Sequence, residues 1–81
     1  MIHFVYILKC ADGDHYTGIA KDLKKRVQEH QRGKSSSTAT RLPVALVWFC
    51  GFITEADAVR FEKYLKSHSG RRFRDRFLTD I

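Results

Sequence analysis

Apolar residues crowd into three stretches of this chain and recur at helical spacing in three others. Residues 3–10, "HFVYILKC", are β-branched and aromatic with almost no interruption, which predicts a strand. Phe4, Tyr6, Leu8 and Cys10 fall on one face of it, and Val5, Ile7 and Lys9 on the other. Both faces are largely apolar, so the strand is expected to be covered on both sides. "ADGD" follows, with an Asp-Gly pair suited to a tight hairpin turn, and "HYTGI", residues 15–19, returns as the second strand.

Asp22 is placed to cap a helix running to about residue 32, with Leu23, Val27 and Ala20 toward the core and Gly33 as its left-handed terminus. Arg26 and His30 stand four apart, on one face beside that thin apolar stripe. "SSSTAT", 35–40, reads as a short polar connection. After Pro43, "VALVWFCGF", 44–52, reads as a central strand, the densest part of the core. Thr54 caps a second helix, with Asp57 as capping partner and Ala58, Phe61 and Leu65 at helical spacing. Glu62 lies at the edge of that apolar face. "SHSG" at 67–70 breaks the pattern, and "RRFRDRFL" resumes as a short third helix with Phe73 and Phe77 as core anchors. The order is strand, strand, helix, strand, helix, helix: an α+β fold in which helices pack on a small three-stranded sheet.

At 81 residues, 43% apolar and 30% charged, the chain is expected to form one ordered domain, 1–81, with a modest core and no large internal cavity. No apolar run is long enough to span a bilayer, and "IHFVYILKC" meets Lys9 too soon for a signal peptide; a cytoplasmic location without membrane attachment is the default. Cys10 and Cys50 lack metal-site spacing and read as buried, reduced thiols.

Charge changes the picture. Fifteen Lys and Arg against nine Asp and Glu give a net +6 and a pI near 9.7, and polyanions, nucleic acid above all, should gather at such a surface. The cations recur as "KDLKKR" at 21–26, "RGK" at 32–34 and "GRRFRDR" at 70–76, clusters that a fold can gather around one groove. Lys21, Lys24, Lys25, Lys34, Arg41, Arg71, Arg72 and Arg74 are the candidate phosphate contacts.

Taken singly, a strand tyrosine is a core residue with a wet hydroxyl, and a helical arginine is solvated. Together, Tyr6 and Tyr16 on opposite arms of one hairpin, Arg26 and His30 on the helix that follows, and Glu62 on a core-facing helix form a more specific set. Here the chain resembles the GIY-YIG nuclease family. "VYI", 5–7, is similar to the first motif of the name through Tyr6 and Ile7; "YTG", 16–18, is similar to the second through Tyr16 and Gly18. "DLKKRVQEH" resembles the helix bearing the family's arginine, which falls on Arg26, with His30 one turn later. "AVRFEKYLK", 58–66, resembles the helix that carries the metal-binding glutamate, which falls on Glu62.

The resemblance implies a three-stranded antiparallel sheet flanked by helices and an endonuclease that cuts phosphodiester bonds in DNA, structured or damaged DNA included, in roles such as repair. It implies Mg²⁺ or Mn²⁺ held by Glu62. Arg26 would clamp phosphate oxygens with its planar fork. Tyr6 would act as general base or orient the attacking water, with a lowered phenol pKa. His30 would relay the proton or hold Tyr6, Tyr16 would position water or a phosphate oxygen, and Gly18 would keep side chains out of the site.

Two departures stand out: Ile19 occupies the place of a lysine found in some repair members, and there is no asparagine, although several members carry one late in the domain. Lys21 or Lys34 is placed to restore the charge, and His68 or Ser69 to replace the amide. The alternative reading is a nucleic-acid-binding module that keeps the fold without cleavage. Nucleases of the family that the chain resembles usually carry a separate target-choosing domain, so sequence preference is expected to come from DNA structure or a separate targeting protein, or to be absent. The sequence leaves oligomeric state open.

Overall fold

The structure is a computed structural model that describes residues 1–79. Strand β1 (His3–Lys9) turns at Gly13, whose φ of +86° a side chain would resist, into β2 (His15–Ala20). Helix α1 (Leu23–Gln31) is capped by the Asp22 carboxylate, which accepts the Lys25 N–H at 3.1 Å, and ends before Gly33 at φ +75°. Strand β3 (Ala45–Phe52) follows, then α2 (Glu55–Lys66), capped by Thr54 through the Asp57 N–H. Helix α3 (His68–Phe73) runs on into a π-helical turn, Arg74–Leu78.

All pairing is antiparallel, in the order β2-β1-β3. β1, not the longer apolar run of β3, is therefore the central strand. β3 is an edge strand with one face packed on α2 and Phe49 half exposed on the other. Its apolar run reflects two partly covered faces at the sheet margin, a pattern that composition cannot distinguish from a fully buried strand.

The alternation in β1 divides the core as expected. Tyr6, Leu8 and Cys10 pack under α1 with Val27 and Val44; Val5 and Ile7 pack under α2 and α3 with Ala58 and Leu65. Cys10 and Cys50 are free thiols on these two opposite faces.

The third helix starts earlier than its sequence suggests. Ser67 ends α2 and caps α3 by accepting the Gly70 N–H. Gly70 then sits inside α3, buried, because a Cβ there would collide with the Tyr64 carbonyl. The glycine marks a close helix crossing rather than a break. Phe73 joins the core as expected, whereas Phe77 is 66% exposed: the π-helical turn rotates it off the buried stripe that an i, i+4 spacing would give.

Candidate active site

Tyr6 and Gly18 are paired directly across β1 and β2, and the tyrosine ring lies over the glycine. A Cβ on Gly18 would stand 2.5 Å from both the Tyr6 hydroxyl and Cζ. The second motif's glycine is thus required by the first motif's tyrosine. Tyr6 is buried in the core, and its hydroxyl lies 2.8 Å from His30 Nε2. His30, fully buried on α1, places Nδ1 2.7 Å from the Thr38 hydroxyl. Tyr16 closes the cluster, with ring centroids 6.4 Å from Tyr6 and 5.1 Å from His30.

Burial, reinforced by the neighbouring Tyr16 and opposed by Arg26, pushes the Tyr6 phenol up to about 12. This is opposite to the lowering expected from sequence: the desolvation of an interior phenolate outweighs one nearby guanidinium. Tyr6 is therefore a neutral phenol at physiological pH. Burial also lowers the His30 pKa, with Arg26 acting in the same direction, so the imidazole is neutral there. A neutral ring has one donor and one acceptor nitrogen, which makes Tyr6, His30 and Thr38 a polarised hydrogen-bonded chain.

Arg26 lies one turn before His30 and donates Nη1 to Glu29 at 3.2 Å. Burial works against its charge, but Glu29 and the Tyr6 oxygen more than compensate and raise its pKa. Glu62 approaches differently. Its helix α2 packs on the sheet face opposite α1, and it comes to the tyrosines through its ion-pair partner Lys66. Lys66 Nζ, 3.1 Å from Glu62 Oε2, lies 5.9 Å from the Tyr16 ring centroid, and the Glu62 charge is felt at Tyr6. Tyr6, Tyr16, Arg26 and His30 are thus brought together on the α1 face, and Glu62 adjoins them only through Lys66.

Among the described residues no group of three or more His, Cys, Asp and Glu is placed to hold a metal ion. The donor set nevertheless fits one hard divalent cation that keeps most of its waters. Glu62 is half-buried, only Oε2 is bound by Lys66, and Oε1 has no hydrogen-bond partner among the described residues.

The cations sort by their partners. Lys21, Lys24, Lys25, Lys34, Arg71 and Arg72 are exposed and form no ion pair among the described residues. A shallow hollow of about 350 Å³ joins Lys21 and Lys25 to Arg26, with Ile19 on its wall, so Lys21 brings positive charge to the place where Ile19 lacks it. Arg41 instead pairs with Asp12 at 2.8 Å and Asp14 at 3.8 Å, tying the hairpin to the loop before β3. Arg74 is buried, with Nε and Nη2 each 2.9 Å from Asp75 Oδ1.

Two residues escaped the sequence reading. Thr38 lay in what looked like a plain polar connection; its one signal is a β-branched residue among serines, which is too weak to act on. Lys66 stands four residues after Glu62, an ordinary helical ion-pair spacing.

A model of the GIY-YIG catalytic domain matches residues 2–75. UPF0213 proteins of Staphylococcus aureus strains Mu50 and N315 are 42% identical over 71 residues, covering 86% of this chain and 87% of theirs. The solution NMR structure of a UPF0213 protein from Bacillus halodurans superposes with a TM-score of 0.58 at 37% identity, covering 90% of this chain and 81% of that one.

Proposed function

The chain belongs to the GIY-YIG catalytic domain family, and from that premise we propose that it is an endonuclease hydrolysing phosphodiester bonds in DNA at the Tyr6, Arg26 and Glu62 site. The observation that carries this reading is the packing of Tyr6, Tyr16 and His30 into one hydrogen-bonded aromatic cluster with Arg26 one helical turn away, to which Lys66, the partner of Glu62, comes close at the Tyr16 ring.

Arg26 binds two oxygens of the scissile phosphate with its planar fork. The Tyr6 oxygen accepts a hydrogen bond from the attacking water and aligns it with phosphorus. As the new P–O bond forms, the water proton passes to the Tyr6 oxygen while the Tyr6 proton passes to His30 Nε2. No free phenolate is needed, which suits a phenol pushed up to about 12. This proton path requires Thr38, 2.7 Å from Nδ1, to accept from Nδ1–H and so hold the tautomer that leaves Nε2 open. Tyr16 walls the site from bulk water. Glu62 would hold a divalent cation, Mg²⁺ or Mn²⁺, which would supply Lewis-acid charge to the leaving oxygen. The exposed Lys21, Lys24 and Lys25 attract the DNA backbone.

A second reading, a binding module without cleavage, is favoured by Ile19, by the missing asparagine and by the hold of Lys66 on Glu62. Labelled single-stranded, duplex, flap and branched DNAs incubated with Mg²⁺ or Mn²⁺ separate the two. Metal-dependent cutting that both Glu62→Ala and Arg26→Ala abolish is the nuclease result. Binding without cutting on every substrate is the module result.

A further inference from the structure

We propose that the cavity beside the outer edge of β2, against α2 and α3, is a second phosphate subsite, which takes the internucleotide phosphate next to the scissile one and directs the substrate strand along that edge. The inference rests on the nuclease reading above and adds the path of the strand.

The cavity encloses about 250 Å³, and its wall includes Asp14, His15, Tyr16, Lys66, Arg71 and Arg74. Three permanent cations thus face one carboxylate. Of these, Lys66 is shared with Glu62 and Arg74 is anchored by Asp75, while Arg71 is exposed and has no carboxylate within ion-pair distance among the described residues. Arg74 is the unusual member. It is only 8% exposed, and two of its nitrogens converge on a single Asp75 oxygen. Its guanidinium is therefore pre-positioned on the wall with donors left over among the described residues, so an anion there binds without first ordering a long side chain. His15 adds a ring that burial and Arg74 keep neutral, able to donate one N–H.

Position identifies the anion. Tyr16 belongs both to this wall and to the catalytic aromatic cluster, and Lys66 joins the cavity to Glu62. Tyr16 and Gly18, which lies beneath the Tyr6 hydroxyl, are two residues apart on one strand, about 6.6 Å along it. That step is of the order of one nucleotide of extended backbone. A free anion would satisfy the same cations, but a polyanion held at Arg26 delivers its next phosphate here at high effective concentration.

The test measures metal-free binding of a short labelled DNA strand in EDTA across a salt series. It compares the native chain with Arg71→Ala and with Arg60→Ala, which removes an exposed charge elsewhere on α2. Arg71→Ala is expected to weaken binding on the order of tenfold and to lower the salt slope by about 1, with Arg60→Ala changing neither by more than twofold. A single methylphosphonate walked along the strand should weaken native binding most at the position adjoining the cut and lose that effect in Arg71→Ala. Competition by inorganic phosphate at millimolar concentration that equals competition by the oligonucleotide would assign the cavity to a free anion and overturn the proposal. So would Arg71→Ala behaving as Arg60→Ala does. Binding that depends on Arg71 in a chain that cuts nothing would leave the subsite standing and remove the nuclease reading alone.

Discussion

The Tyr6 hydroxyl and His30 Nε2 lie 2.8 Å apart in the interior, joining the central strand to the first helix. The bond couples a phenol raised to about 12 to an imidazole held neutral, so neither partner is charged at neutral pH. Tyr6→Phe keeps the ring and removes the proton path. Cleavage is expected to fall by roughly 10²–10⁴-fold, while DNA binding in EDTA stays within about twofold of the native chain. A variant that cuts at the native rate would take Tyr6 out of the mechanism.

The same pair sets two pH limits on stability. The folded phenol titrates near 12 against an unfolded value of 10.0, so the folded chain holds its proton longer. That contribution is complete below pH 10 and is lost as pH rises toward 12, on the order of 2–3 kcal/mol at about 1.4 kcal/mol per unit. His30 has the opposite dependence. Its folded pKa is below 6.5, so its contribution is complete above that value and is lost as pH falls below it, where only the unfolded chain takes up the proton. Urea midpoints measured from pH 4 to 11 should decline at both ends; Tyr6→Phe should reduce the alkaline decline to the part left by the Cys10 and Cys50 thiols, which burial also pushes up, and leave the acid decline unchanged.

Thr38 is the untested partner of that histidine. Thr38→Val retains shape and leaves His30 Nδ1 buried without a partner, which is expected to cost about 1–3 kcal/mol. Thr38→Ser restores the hydroxyl and should recover most of it. Thermal denaturation distinguishes the two. If Val and Ser prove equally stable, the hydrogen bond contributes nothing and the polarised chain ends at His30.

How far the sequence announced this site depends on the range of each contact. The hairpin, the Arg26–His30 face and the helix bearing Glu62 follow from turn chemistry and periodicity, which act within a few residues. The pairing of Gly18 with Tyr6 is a cross-strand event, legible only through the motif resemblance. The raised phenol depends on burial of Tyr6 beneath α1, and the nearness of Lys66 and its partner Glu62 to Tyr16 depends on how α2 packs across the sheet. An apolar run of nine residues misplaced the centre of that sheet at β3. Gly70 misled for a similar reason: locally it is a helix breaker, and only the crossing with Tyr64 explains it.

Gly18→Ala tests the cross-strand contact. The added methyl would stand 2.5 Å from the Tyr6 hydroxyl, and that ring end is fixed by His30, so the tyrosine must tilt away. Overpacking of this kind costs about 1–3 kcal/mol. Loss of the Tyr6–His30 bond should lower cleavage as far as Tyr6→Phe does. The double variant is then expected to be no slower than either single one, since both remove the same interaction. Additive losses would mean that Gly18 serves the site in some other way.

The Glu62–Lys66 pair is where the proposed nuclease and the binding module part. Lys66 occupies Glu62 Oε2 at 3.1 Å, so under the proposed function it would compete with a divalent cation for the carboxylate while drawing DNA to the same edge. Lys66→Gln is expected to tighten Mn²⁺ binding to the free protein a few-fold, because the pair is half exposed and water screens most of its energy. Glu62→Gln should abolish that binding, since a neutral amide is a poor ligand for a hard cation. Water-proton relaxation in Mn²⁺ titrations reads both without any cleavage assay. A gain with Lys66→Gln that Glu62→Gln erases in the double variant would make Lys66 a gate on the metal. Equal Mn²⁺ affinity in all four chains would mean that an ion reaches this carboxylate only together with the DNA phosphate.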